Sequence, residues 1–146
     1  MFEHVGSKNY KDFFSIVHHN MKNDGITLLH TIGKNDEYTT DKWIEKYIFP
    51  NGELPNVNNI IKFKDKLLLD DWHNFGKDYN LTLIAWQNNF KNAWPELKNK
   101  YDDRFYRMWV YYLNVCAAAF YVRNILLWQL ILTKKEKKEQ YRSFRY

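Results

Sequence analysis

The order of elements along this chain predicts an α/β fold. Three observations carry that expectation. Helical and strand-like stretches alternate. The runs at 26–33 and 125–133 are short, apolar and rich in strand-forming residues. The longer stretches between them repeat apolar residues at three- and four-residue steps. Strands interleaved with helices indicate a layered α/β architecture.

Lys8 to Lys22 reads as the first helix. Tyr10, Phe13, Phe14, Val17 and Met21 share one face, and Asp24-Gly25 ends it. Ile26 to Gly33 is a buried strand closed by glycine. Lys34 to Thr40 is polar and reads as a loop. Asp41 caps a short helix holding Trp43, Ile44, Tyr47 and Ile48. Pro50 to Pro55 is turn chemistry. Asn56 to Phe63 reads as a helix with Val57, Ile60 and Ile61 inward. Lys66 to Asp71 reads as a strand leading into Trp72-His73-Asn74-Phe75-Gly76. Tyr79 to Leu97 is helical, lined by Leu83, Trp86, Phe90 and Trp94, and Pro95 ends it or opens the next helix. Arg104 to Arg123 is the clearest helix. Its stripe is Phe105, Trp109, Tyr112, Leu113, Cys116 and Phe120, and Ala117, Ala118 and Ala119 allow close approach of a neighbour. Ile125 to Thr133 is the last strand.

A chain of 146 residues with 45% apolar residues can bury a core, so general disorder is excluded. Aromatics at 18% favour packed cores or large apolar pockets. The formal charge is +5, unevenly placed. Residues 134–146 hold six cations and two anions, so this tail carries +4 and residues 1–133 carry +1. The tail is expected to be disordered. With the remainder nearly balanced, no basic stripe for nucleic acid is evident. One cysteine, Cys116, excludes an intrachain disulfide. No secretory leader pattern and no membrane-spanning apolar stretch is visible, so a cytoplasmic protein, at most peripheral to the inner face of the membrane, is expected. No metal-ligand spacing stands out.

In open α/β sheets the ligand lies beyond the carboxyl ends of the strands. Glu3, His30 and Trp72-His73 are all expected at or just after strand ends. Taken singly, Glu3 reads first as a surface ion-pair partner, His30 as a hydrogen-bonded core histidine and Tyr112 as a packed ring.

Several stretches together resemble the cyclopropane-fatty-acyl-phospholipid synthases. They are MFEHVG at 1–6, LLHTIG at 28–33, WIEKYIFPNGELP at 43–55, DWHNFGKDY at 71–79 and RMWVYYLNVCAAAF at 107–120, with LWQLIL at 127–132 similar to the family's last strand. The resemblance implies the C-terminal half of a class I, Rossmann-like, S-adenosylmethionine-dependent methyltransferase sheet with inserted helices, seven-stranded when whole, with a reversed final strand. It implies transfer of a methyl group from S-adenosylmethionine to a cis double bond of a phospholipid acyl chain, then proton loss to a bicarbonate ion and ring closure. It also assigns the bicarbonate site: Glu3 as the buried carboxylate, His30 as the imidazole, Ile32 through its backbone and Tyr112 as the hydroxyl donor. Elementary chemistry agrees with these types. An oxyanion needs donors, and bicarbonate also needs an acceptor for its own proton.

The likeness begins in the middle of the family's catalytic domain. No G-x-G turn of the cofactor-binding kind occurs here. The expectation is therefore a truncated chain, inactive alone, that keeps the proton-removal residues and lacks most of the S-adenosylmethionine site. The expected partners are unsaturated phospholipid at a membrane surface, the missing N-terminal half as a separate chain, and further copies of itself in a homo-oligomer. Two other readings stand beside this one: the complementing half of a split enzyme, and a non-catalytic membrane-surface module using the basic tail with Tyr141, Phe144 and Tyr146.

Overall fold

Strand β3 (Leu126–Thr133) has the sequence LLWQLILT, and six of its eight residues are buried. Such an unbroken apolar run belongs to a strand covered on both faces. In the computed structural model, which describes residues 1–37, 41–143 and 145, β3 is the middle strand of three. Residues 38–40 of the expected polar loop, and Phe144 and Tyr146 of the tail, lie outside the described residues. The chain divides into two units, residues 1–74 with 127–146, and residues 75–126.

In the first unit, β1 (Ile26–Gly33) and β2 (Leu68–Asn74) flank β3, giving the order β1-β3-β2. β2 runs antiparallel to β3, with Leu68 opposite Thr133 and Asn74 opposite Trp128. The register slips at Asp70, an extra residue that bends the edge strand. Its carboxylate accepts the Thr133 hydroxyl at 2.7 Å. β1 alternates: Leu29, Thr31 and Gly33 are buried, while Ile26, Leu28 and His30 are exposed. Gly33 does more than close the strand. A Cβ there would lie 2.2 Å from the Trp128 ring. Trp128 in turn packs edge-on against Trp72, with centroids 5.0 Å apart.

An aromatic cluster fixes the chain before β1. Phe2 is buried in a 3-10 turn, Phe2–His4, and stacks on Tyr10 at 4.3 Å. Gly6 takes φ +77, a left-handed conformation that costs glycine nothing, and a second 3-10 turn leads into α1 (Tyr10–Asn20). Phe14 of α1 meets Phe63 edge-on at 5.8 Å.

Asp41 caps α2 (Lys42–Tyr47) by accepting the amides of Trp43 and Ile44. The single helix expected over 56–63 is instead α3 (Val57–Ile60) followed by a 3-10 turn, Ile61–Asp65. Ile60 and Phe63 are both buried, and the three-residue repeat of a 3-10 turn puts them on one face. β2 starts later than expected and runs through Trp72, His73 and Asn74, because those residues pair with Leu130, Gln129 and Trp128. Tertiary pairing there overrides local propensity.

The second unit is a helical hairpin of α4 (Gly76–Leu97) and α5 (Asp103–Tyr121). Leu83, Leu113, Ala117 and Phe120 are buried, and the Asn80 amide donates to the Ala117 carbonyl at 2.8 Å. Pro95 sits in the last turn of α4, which ends two residues later. Asp102 caps α5 through the Phe105 amide at 2.8 Å. The chain leaves α5 through Arg123 at φ 59. Returning to the first unit, the described tail residues carry no helix or strand. Lys134 is buried and donates to the Met21 carbonyl, Lys137 donates to the Asp24 carbonyl, and Arg145 pairs with Asp71.

Candidate active site

Glu3 is aimed by its neighbours in sequence and space. Buried Phe2 anchors the turn, and the Glu53 amide donates to the Glu3 carbonyl at 2.9 Å. Glu53 is itself held, since its carboxylate accepts the Ser7 amide at 3.0 Å. The Glu3 side chain, 19% exposed, then reaches the end of β1. Its Oε1 accepts the Thr31 hydroxyl at 2.9 Å and the Ile32 amide at 2.8 Å, and its Oε2 lies 3.1 Å from the Met1 amino group. Burial pushes this carboxyl up, but its own backbone amide, the Ile32 amide and the Thr31 hydroxyl together hold it below the usual carboxylate range. Glu3 is thus an ionised acceptor fixed to a strand end.

His30 is not at or just after the end of β1 as expected; it is the fifth of that strand's eight residues, and it is exposed. Trp72 and His73 likewise lie within β2. The grouping of ionisable residues past equivalent strand ends therefore fails for these three. For Trp72 and His73 the reason is that β2 pairs further along β3 than its propensity indicates; His30 is inside its strand because β1 runs on to Gly33. His30 Nδ1 sits 3.1 Å from Gln129 Nε2. With that amide nitrogen as donor, Nδ1 accepts and the ring proton sits on Nε2, which makes the imidazole a donor on its other side.

Ile32 gives its amide to Glu3, so Glu3 and Ile32 are directly joined. Tyr112 belongs to α5 in the second unit. Its ring lies 5.2 Å from that of Trp109. Burial first, then Cys116 and Tyr79 nearby, raise its phenol to about 12, so it keeps its proton at neutral pH. Tyr10, beneath the Glu3 turn, is fully buried, and its hydroxyl has no hydrogen-bond partner among the described residues. Burial, then the Glu53 and Glu3 carboxylates, hold its phenol above the ordinary value.

Three residues of this arrangement were not singled out from the sequence. Thr31 and Glu53 hold Glu3, and Gln129 orients His30. Gln129 carried a signal: it is the one amide in the apolar run LLWQLILT. Glu53 and Thr31 carried none.

Strands in the order β1-β3-β2, the last antiparallel to the one before it, with flanking helices and a carboxylate clasped at the end of β1, make this an α/β chain with a polar group fixed at a strand end. The chain belongs to the mycolic acid cyclopropane synthetase family, whose model matches residues 1–130. It is 52% identical over 136 residues to the cyclopropane-fatty-acyl-phospholipid synthase of Escherichia coli, covering 92% of this chain and 36% of that protein. Among solved structures it resembles the cyclopropane synthase MmaA2 from Mycobacterium tuberculosis, with a TM-score of 0.84 and 28% identity over 91% of this chain and 52% of that one. The mycolic acid cyclopropane synthase CmaA1, complexed with SAH and CTAB, gives a TM-score of 0.81 and 26% identity over the same shares. The chain thus spans about a third of the bacterial synthase and half of the mycobacterial one.

Proposed function

We propose that this chain carries the proton-removing side of a cyclopropane synthase that acts on unsaturated phospholipid acyl chains with S-adenosylmethionine as methyl donor. The observation that carries the reading is Glu3, ionised and held by the Thr31 hydroxyl and the Ile32 amide, in a chain half identical to a synthase of that name.

The residues suit an oxyanion such as bicarbonate. His30 Nε2–H, the Ile32 amide and the Tyr112 hydroxyl are donors, and Glu3 accepts the anion's own proton. Glu3 already uses the Ile32 amide, so an anion there shares that donor or takes it over. The places of His30 and Tyr112 in this set rest on the family likeness. When bound, bicarbonate supplies the base that removes a proton from the methylated acyl chain. The residues present do not suit S-adenosylmethionine in the same way. The five glycines stand singly at 6, 25, 33, 52 and 76 and form no G-x-G turn.

The test is a chimera in which this chain replaces the matching 136-residue segment of the E. coli relative. It is assayed for cyclopropane formation on unsaturated phospholipid vesicles, with the unsubstituted chimera as reference. Glu3→Gln is expected to lower kcat by about 10²-fold or more, the range of a lost acid–base group, with KM nearly unchanged. An E3Q chimera turning over as fast as its parent would refute the assignment. Separately, titration of the chain alone with S-adenosylmethionine should show no tight binding; one-to-one tight binding would overturn the division of roles.

A further inference from the structure

The end of the α4–α5 hairpin where the two helices connect lies within the second unit and holds none of Glu3, His30, Ile32 and Tyr112. Around the connection between the two helices stand six rings: Phe90, Trp94, Tyr101, Phe105, Tyr106 and Trp109. None of the six is buried, and Tyr101 is 46% exposed. Tyr101, in the connection, and Phe105 and Trp109, on α5, follow one another at four-residue steps and stack, with centroids 4.5 and 6.1 Å apart. Tyr106 lies 4.7 Å from Trp94 and 5.7 Å from Phe90. Phe90, Trp94, Phe105, Tyr106 and Trp109 pack across the seam between the two helices and stay part-exposed, and Trp109 also touches Tyr112.

Cations surround them. Lys91, Lys98, Lys100, Arg104 and Arg107 are all exposed. Against them stand Glu96, Asp102 and Asp103, and Asp102 is engaged in capping α5. Rings with an apolar body, interleaved with lysine and arginine, settle at the boundary between headgroups and acyl chains, where the cations meet phosphate. Among the described residues no helix is long and apolar enough to cross a membrane, so the hairpin would lie on the surface. The basic tail competes poorly for this role, because Lys134, Lys137 and Arg145 are held within the first unit.

We propose that the hairpin tip, residues 90–109, docks on a bilayer containing anionic phospholipid. The rings enter the headgroup–acyl boundary and Lys98, Lys100 and Arg104 contact lipid phosphates. This rests on the lipid-modifying reading above and adds the surface by which the chain reaches its substrate.

The test is co-sedimentation of the full chain with vesicles of phosphatidylcholine and phosphatidylglycerol, and with vesicles of phosphatidylcholine alone. Binding is expected to the anionic vesicles and to be weaker without phosphatidylglycerol. The combined reversal Lys98→Glu, Lys100→Glu and Arg104→Glu should weaken it at least about tenfold. None of these three side chains makes a hydrogen bond or ion pair among the described residues, and circular dichroism checks that the fold is kept. Phe105→Ser should weaken binding while leaving the charge unchanged. Removal of residues 134–146 should leave binding intact. Loss of binding on tail removal, with the reversals silent, would overturn the proposal; so would capture of a single-stranded oligonucleotide in place of vesicles. Binding is measured without methyl donor or turnover, so failure of the chimera above and failure here are separate results.

Discussion

Glu3→Gln keeps the shape of the side chain and removes its charge, which isolates what the charge does for the fold. Glu3 Oε1 accepts two bonds, from Thr31 and Ile32. A bond to a charged acceptor contributes about 1.5–3 kcal/mol and a neutral one about 0.5–1.5 kcal/mol, so changing both costs about 2 kcal/mol. The effect depends on pH in a fixed direction. The carboxyl is held below its ordinary value of 4.5. Its contribution is therefore fully present above the unfolded value and is lost as pH falls through the folded one. Urea unfolding of the chain, followed by tryptophan fluorescence, should show E3Q less stable by about 2 kcal/mol at neutral pH. The two proteins should converge as the solution is acidified below 4.5. Glu3→Leu should cost about 1–3 kcal/mol more, because the part-buried Ile32 amide loses its acceptor. A difference below about 0.5 kcal/mol at neutral pH, or one that does not change on acidification, would show that the two bonds do not hold the turn to β1.

Further outcomes follow from the packing. Gly33→Ala places a Cβ 2.2 Å from Trp128, a ring only 2% exposed, and should destabilise by about 1–3 kcal/mol in the same unfolding assay. Adding Trp128→Leu should make the Gly33→Ala step cheaper; strict additivity would refute the clash. Tyr10→Phe deletes a buried hydroxyl without a described partner and should leave stability unchanged or raise it by up to about 1 kcal/mol, a clear loss being the contrary result. Asp102→Ala removes the cap on α5 and should lower stability by about 1 kcal/mol, seen as reduced amide-exchange protection of Phe105. An unchanged exchange rate there would argue against the cap.

The elements legible in the sequence were those whose local pattern and tertiary role agree. β1 was expected over 26–33 and is found there, but with one face exposed where a buried strand was expected; the Asp41 cap and the long helix over 104–123 were also readable from spacing and side-chain chemistry. The start and extent of β2 were not, because Trp72, His73 and Asn74 become strand through pairing with β3, a partner more than fifty residues away. The division at Ile60 was hidden for a similar reason: the pattern fits either helix type, and burial of Phe63 decides. At the candidate site, the family likeness pointed to Glu3, His30, Ile32 and Tyr112. The structure joins Glu3 to Ile32 and supplies the supports, Thr31 and Gln129, that no spacing rule marks.

The supports also tie the site to the core. Ile32, whose amide holds Glu3, is followed directly by Gly33, whose bare Cα admits the Trp128 ring. Trp128 is locked in turn against Trp72 across the β3–β2 pair. One residue further along β3, Gln129 turns its amide to His30. A single stretch of the central strand therefore sets the end of β1 through packing and the tautomer of His30 through a hydrogen bond. Positions holding an ionised carboxylate and a protonated ring nitrogen need this rigidity, since donors placed in advance spend nothing on reorganisation when charge arrives. On this argument a defect at the tryptophan pair acts on Glu3 without touching it. Gly33→Ala should loosen the Ile32–Glu3 bond and move the Glu3 carboxyl back toward its ordinary value, a change readable by carbon-detected titration of Glu3. A Glu3 titration identical in the two proteins would sever the core from the site and leave the clasp a purely local device.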